Sequence, residues 1–114
     1  MDIKKYDFIT GIPCSKLKGL TDSIEKYIPC TREDESVAMA AGAYLVGKKP
    51  LVFMQNSGLG NCVDIIASLL KPYGIEIDMV VSRRTEPAHH MLMGNITGKL
   101  LNLVNYEAHV EVIE

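Results

Sequence analysis

The chain alternates between short apolar runs and segments in which apolar residues recur every three or four positions. Runs of the first kind are typical of strands, and the three-to-four spacing is typical of helices. The pattern predicts strands at 6–10, 28–31, 50–54, 77–81 and 108–113. It predicts helices that begin near Ser15, Asp34, Val63 and Ile96. The run Pro50–Met54 lacks polar residues altogether, which indicates a strand that is covered on both faces.

This order of elements predicts the fold class. A strand-helix alternation of this kind gives a doubly wound parallel α/β sheet with right-handed crossovers. We expect about five to six strands with helices on both faces, in a single domain that covers residues 1–114. Ligands bind such sheets at the carboxyl ends of the strands. The segments that should form the functional edge are therefore 11–15, 31–35, 55–61 and 82–90.

Composition and charge narrow the class of protein. The 114 residues are 47% hydrophobic and 23% charged, which is ordinary for a globular domain and excludes a disordered chain. A net charge of −2 argues against a nucleic-acid partner. No apolar run approaches the ~20 residues that span a bilayer, and the first residues carry acids, so we expect a cytoplasmic protein without membrane contact. Three well-separated cysteines suggest neither a disulfide framework nor a metal site.

Taken one at a time, the four segments remain open to two interpretations each. The acids in Arg32–Glu35 suit the start of a helix, or a metal ion. The stretch Gly58–Asn61 is a tight turn or a place where a ligand meets the backbone. Arg83 and Arg84 either bind an anion or lie in a solvated loop. His89 and His90 are adjacent, a spacing unlike that of a two-histidine metal face, so we predict no metal site.

Considered together, these segments carry a resemblance. Residues 32–50, followed by Met54–Asn61, resemble the pyrimidine-binding domain of thiamine-diphosphate-dependent decarboxylases. Within that superfamily they are most similar to sulfopyruvate decarboxylase alpha subunits and to phosphonopyruvate decarboxylases. Gly11–Ser15 matches the first loop of that group, and Glu86-Pro87 with His90 fits a later loop.

The resemblance implies roles for individual residues. Glu33 is placed to hydrogen-bond N1′ of the cofactor's aminopyrimidine, which activates the thiazolium carbon for attack on a 2-keto acid. The remaining residues it assigns fall into two groups. Those expected beside the cofactor are Pro13, Cys14, Gln55, Asn56 and Ser57, and those expected on the substrate side are Arg84 and His90.

The same resemblance implies an activity and partners. The expected reaction converts 3-sulfopyruvate to sulfoacetaldehyde and CO₂, which would associate the chain with coenzyme M biosynthesis. Phosphonopyruvate decarboxylation, or a non-catalytic binding module, remain as alternatives; Cys14, where phosphonopyruvate enzymes commonly have Asp, favours the sulfonate. The superfamily binds diphosphate and Mg²⁺ through a Gly-Asp-Gly signature that this chain lacks. We therefore expect a separate diphosphate-binding beta subunit, together with self-association of the pyrimidine-binding domains.

Overall fold

The computed structural model describes residues 1–114 and contains one parallel sheet of five strands in the order β2-β1-β3-β4-β5. The predicted doubly wound α/β fold is confirmed. The strands are β1 (Phe8–Gly11), β2 (Ile28–Pro29), β3 (Pro50–Gln55), β4 (Asp78–Ser82) and β5 (Val110–Ile113). The helices are α1 (Lys18–Asp22), α2 (Glu33–Leu45), α3 (Asn56–Asn61), α4 (Val63–Ile65, continued as a π-helical segment over Ile66–Leu70) and α5 (Met91–Leu103).

The apolar run forms the centre of the sheet, as its composition predicts. β3 pairs with β1 on one side and with β4 on the other. Its side chains alternate between the two faces: Leu51 and Phe53 join one core cluster, whereas Val52 and Met54 join the other. All four are fully buried, because helices or loops cover both faces at this position. Strands that are buried on both faces consist almost entirely of apolar residues, because a polar side chain there would lose its hydration.

The two faces are covered unequally. Helices α2 to α5 supply the larger cluster, and the segment from Leu17 to Ile24, which includes α1, supplies the smaller one. Right-handed crossovers dictate this division, because only the β1–β2 connection runs in the opposite direction along the sheet. Gly47 lies two residues after the end of α2 and has a φ of +90°, a backbone conformation that favours glycine. No helix has the length and apolar character that a membrane crossing needs.

Element boundaries differ from the sequence prediction at three helices. α1 ends at Asp22, although Ile24 and Tyr27 still pack on the same cluster. α5 begins at Met91, ahead of the predicted Ile96. The largest difference is α3, which begins at Asn56, directly after β3, where a polar loop was expected. Asn56 starts a helix here because its side chain is buried in hydrogen bonds to the neighbouring segment, as described below.

Candidate functional site

The predicted segments meet at the carboxyl end of the sheet. Cys14 follows β1, Glu33 follows β2, Gln55 closes β3, and Arg84 follows β4. The Cys14 thiol hydrogen-bonds the Ser82 hydroxyl across a Sγ–Oγ distance of 3.0 Å. Arg84 Nη1 lies 3.5 Å from Gln55 Oε1, at the limit of a hydrogen bond. Side chains from β1, β3 and β4 are therefore neighbours at this edge.

Glu33 is the first residue of α2 and is held by two features of α3. Asn61 donates a hydrogen bond from Nδ2 to Glu33 Oε1 at 3.0 Å. Gly58 packs directly against the Glu33 side chain, and a Cβ at position 58 would collide with Cγ and Cδ of Glu33. The stretch Gly58–Asn61 is therefore neither a simple turn nor, in this structure, a free helix start. It is the surface on which the Glu33 carboxyl rests.

The three consecutive acids have separate environments. Asp34 pairs with Arg32 at 3.0 Å and accepts a hydrogen bond from the backbone N–H of Glu35. The hydrogen bond from Arg32 lowers the pKa of the Asp34 carboxyl below its usual range. Glu35 is exposed. No group of three or more His, Cys, Asp or Glu side chains is arranged to hold a metal ion. Among the three acids, only Glu33 makes a hydrogen bond to α3.

Cys62 lies beneath this carboxyl and is fully buried. Burial, and then the negative charge of Glu33, raise the pKa of the Cys62 thiol to about 12. A thiol of that pKa stays protonated at neutral pH and is a poor nucleophile. Cys62 is therefore part of the core, and all three cysteines are free.

Asn56 lies behind the edge rather than on it. Its side chain is fully buried and donates hydrogen bonds to the backbone oxygen of Arg84 at 3.2 Å and to Thr97 Oγ1 at 3.0 Å. Its Oδ1 accepts a third hydrogen bond from the Arg84 backbone N–H at 3.1 Å. Asn56 was expected beside the cofactor, but its side-chain donors are both engaged within the chain.

The remaining predicted residues sit on the outer surface of the edge. Pro13 and Ser57 are exposed, and Gln55 donates a hydrogen bond to the Ser57 hydroxyl at 2.9 Å. Arg84 and His90 are half-buried. Loss of solvation, followed by the neighbouring His89 and Arg84, lowers the pKa of His90 below its ordinary value. The Nε atom of Arg84 is buried and has no hydrogen-bond partner in the chain.

This edge is open rather than enclosed. A shallow cavity beside Glu33 is lined by its neighbours Arg32, Asp34 and Glu35 and by Asn61, and it is open to solvent. Neither this cavity nor four others on the surface of the chain are lined by Glu33, Cys14, Gln55 or Arg84. A ligand bound here would contact the chain on one side only. A catalytic site at this edge would need a second surface opposite it.

The sequence pattern does not identify the residues that support the site. It places Gly58 and Asn61 in a tight turn or a ligand-contacting stretch and Ser82 at the start of the polar segment 82–90, and it gives Thr97 no role. No local signal could have found them, because each acts on a residue far away in the chain. Asn61, for instance, is 28 residues from Glu33.

Comparison with known proteins adds a second line of argument. No family model matches the chain. The chain is 43% identical over 107 residues to sulfopyruvate decarboxylase subunit alpha of Methanocaldococcus jannaschii, covering 85% of this chain and 63% of the relative. The corresponding subunit of Methanococcus maripaludis is 40% identical over 107 residues, covering 86% and 64%. Phosphonopyruvate decarboxylase of Streptomyces viridochromogenes is 41% identical over 110 residues, covering 87% of this chain and 28% of the relative.

These similarities run through nearly the whole chain, although it spans a little under two thirds of the length of the alpha subunits that it matches. They agree with the resemblance carried by the residues around Glu33 and by Met54–Asn61. The chain is therefore homologous to the sulfopyruvate decarboxylase alpha subunits and, over a smaller share of their length, to the phosphonopyruvate decarboxylases.

Proposed function

We propose that the chain is the alpha subunit of a thiamine-diphosphate-dependent 2-keto acid decarboxylase that converts 3-sulfopyruvate to sulfoacetaldehyde and CO₂. The observation that carries this proposal is the position of the Glu33 carboxyl. It stands at the carboxyl end of a parallel sheet, fixed by Asn61 and by the missing side chain of Gly58. Relatives at 40–43% identity bear the name sulfopyruvate decarboxylase subunit alpha.

The residues present fit the pyrimidine half of that cofactor. Asn61 occupies Oε1 of Glu33, and Oε2 receives no hydrogen bond from within the chain. That arrangement leaves one carboxyl oxygen available to exchange a proton with a ring nitrogen. When bound, the cofactor supplies an electron sink for the bond that breaks as CO₂ leaves. The task of Glu33 is to hold a proton at N1′, while Pro13, Cys14, Gln55 and Ser57 line the same edge.

The substrate side of the proposal rests on charge. A 2-keto acid with a sulfonate carries two anionic groups, and a guanidinium suits either through its forked donors. Arg84 follows β4 by two residues and is half-buried, with Nη1 3.5 Å from Gln55 Oε1 at the edge, and His90 lies in the same segment. Phosphonopyruvate is the second candidate substrate, because a named phosphonopyruvate decarboxylase is 41% identical to the chain.

A partner is part of the proposal. The edge is open, and no group of side chains is arranged to hold Mg²⁺. We propose that a separate beta subunit binds the diphosphate and Mg²⁺ and closes the site from the opposite side. We further propose that copies of the chain associate through α2, on which Ala38 and Leu45 are exposed and Gly42 has open space beside it. The three free thiols agree with a cytoplasmic enzyme.

The proposed function is tested by reconstitution. The chain is mixed with a candidate subunit that carries a Gly-Asp-Gly signature, and CO₂ release is measured with 3-sulfopyruvate and with phosphonopyruvate. We expect turnover with the pair and none with either chain alone. A higher kcat/KM for phosphonopyruvate would transfer the proposal to the second substrate. Full assembly without turnover on either keto acid would favour the non-catalytic binding module.

A calorimetric titration tests the division between the subunits. The isolated chain offers the cofactor one charged hydrogen bond and a one-sided surface, which is too little to offset the ordering cost of association. We expect no measurable binding of thiamine diphosphate with Mg²⁺ to the chain alone, and clear binding to the assembled pair. Micromolar binding to the chain alone would contradict a diphosphate site on a partner.

A further inference from the structure

The segment that follows β4 is attached to α3 through one side chain. Asn56 accepts a hydrogen bond from the backbone N–H of Arg84 and donates one to the backbone oxygen of the same residue. One asparagine therefore satisfies both backbone groups of Arg84. The third participant, Thr97, accepts the second Nδ2 proton of Asn56 and donates its own hydroxyl proton to the Met93 backbone oxygen.

Close packing restrains the backbone near Arg84 in addition to these hydrogen bonds. Gly94 of α5 lies so close that a Cβ there would stand 2.8 Å from the Arg84 oxygen and 2.6 Å from a methyl of Thr85. Arg83 donates from Nε to the backbone oxygen of Gly94 at 2.8 Å. The segment is therefore held between α3 and α5. Within it, the backbone of Arg84 receives side-chain hydrogen bonds from Asn56 alone.

The hydrogen-bonding capacity of Asn56 decides between two roles. An asparagine amide has two N–H donors, and both are engaged within the chain. The side chain is fully buried, so a cofactor could reach it only by displacing Arg84 or Thr97. The side chain of Arg84, by contrast, is only half-buried, and its Nη1 lies 3.5 Å from Gln55 Oε1 at the carboxyl edge of the sheet. The outer nitrogens of this guanidinium are therefore within reach of an anionic ligand that the Asn56 amide cannot contact.

We propose that Asn56 is a positioning residue for substrate affinity: it fixes the backbone of Arg84 so that the guanidinium meets the anionic group of the substrate. It does not contact the cofactor. The proposal rests on the proposed function in one respect, namely that Arg84 faces the anionic substrate. A fixed backbone restricts the positions that the Arg84 guanidinium can take before the substrate arrives. Less conformational entropy is therefore lost when the substrate binds.

The first test needs no activity and uses the chain as it stands. Amide hydrogen exchange at Arg84 is compared between wild type, Asn56→Ala and Thr97→Val. We expect the protection of the Arg84 amide to fall at least about tenfold in Asn56→Ala, because its acceptor is gone. Thr97→Val removes a partner of Asn56 but leaves both bonds to Arg84, so protection there should persist. Equal loss in both variants, or no loss in Asn56→Ala, would overturn the inference.

The second test separates KM from kcat in the assembled pair. We expect Arg84→Ala to raise KM for the keto acid about tenfold or more, and Asn56→Ala to raise it about three- to tenfold. The affinity for thiamine diphosphate should be unchanged in both. In the double variant, the loss of Asn56 should add nothing to the effect of Arg84→Ala, because Asn56 acts through that residue. Additive effects on KM, or a lower affinity for thiamine diphosphate in Asn56→Ala, would contradict the inference and indicate that Asn56 contacts the cofactor.

A milder variant guards against a failure to fold. Asn56→Asp keeps an acceptor for the Arg84 N–H and faces the Arg84 oxygen with a carboxylate, so KM should rise here as well. An unchanged KM in folded Asn56→Asp would contradict the inference. A wild-type pair that decarboxylates neither keto acid would contradict the proposed function. The hydrogen-exchange measurement would still show whether Asn56 fixes the backbone of Arg84.

Discussion

The two ends of the sheet both carry polar side chains, but they use them differently. At the amino end, Asp78 accepts a hydrogen bond from the Tyr6 hydroxyl at 2.7 Å, with Lys5 and His109 at 3.9 and 4.0 Å. Every member of that group has a partner. The two buried side-chain atoms without any partner are Ser36 Oγ and Arg84 Nε. Both belong to segments that follow strands at the carboxyl end.

The difference separates stability from function. A polar group whose partners all lie within the chain is satisfied in the folded state and contributes to stability. A buried donor without a partner costs free energy, and such a cost is typical of places where a ligand completes the set. Substitutions at the amino end should therefore change the free energy of unfolding without changing activity, whereas those at the carboxyl end should change activity, whether or not they also change stability.

The largest expected effect is that of Glu33→Gln. An amide keeps the shape of the side chain but cannot exchange a proton with N1′, so we expect kcat/KM of the assembled pair to fall about 100-fold or more. Exchange of the cofactor's C2 proton should slow accordingly, with unchanged circular dichroism. Glu35→Gln, two residues further along α2 and exposed, is the matched control and should keep full activity. Normal C2 exchange in Glu33→Gln would exclude Glu33 as the activator.

Gly58→Ala should have the next largest effect. Its Cβ would collide with the Glu33 side chain, so the carboxyl must move, and we expect kcat/KM to fall at least about tenfold. The free energy of unfolding should drop by about 1–3 kcal/mol from the same overlap. Gly60→Ala is the control, since its Cβ would meet only Met93 Cε, at 3.7 Å. Equal activity in the two variants would show that the fit against Gly58 is irrelevant to catalysis.

At the amino end, Tyr6→Phe should show the opposite pattern. Removing the hydroxyl deprives Asp78 of its shortest hydrogen bond, and we expect a loss of about 1–2 kcal/mol in the free energy of unfolding. Denaturant titration measures it, with Tyr73→Phe as a control, because Tyr73 is 74% exposed. Decarboxylase activity per folded pair should be unchanged. A fall in kcat without a change in stability would break the distinction between the two ends.

The smallest expected effect is a change of stability in alkali. Burial, and then the hydrogen bond to Asp78 and its charge, raise the pKa of Tyr6 above the ordinary value of 10.0. Above pH 10 the unfolded chain releases this proton while the folded chain retains it, so stability present at lower pH is lost as the pH rises. Tyr106, whose pKa burial raises to about 12, contributes in the same direction. Tyr6→Phe should therefore make the decline less steep between pH 10 and 12, and an identical slope would contradict this assignment.

Much of the fold was predictable because its signals are local. The run Pro50–Met54 indicated a central strand, and β3 is central and fully covered. The polar stretch after it predicts a loop, because Asn56, Ser57 and Gly58 are weak helix formers. The hydrogen bonds of Asn56 to Arg84 and Thr97 override that preference, and these partners are 28 and 41 residues away in the sequence.

The sequence by itself determined the parallel α/β class, the edge at which the polar segments meet, and the family resemblance around Glu33. Periodicity and apolar runs determine these, since each reflects how a short segment is covered. Only the tertiary structure decided that Glu33, unlike the two acids that follow it, packs against Gly58 and hydrogen-bonds Asn61. It also decided that the Asn56 side chain is buried and hydrogen-bonds the backbone of Arg84. The physical reason is the same in both cases. A hydrogen bond or a close contact between distant residues depends on where the sheet brings them, and no local pattern records that distance.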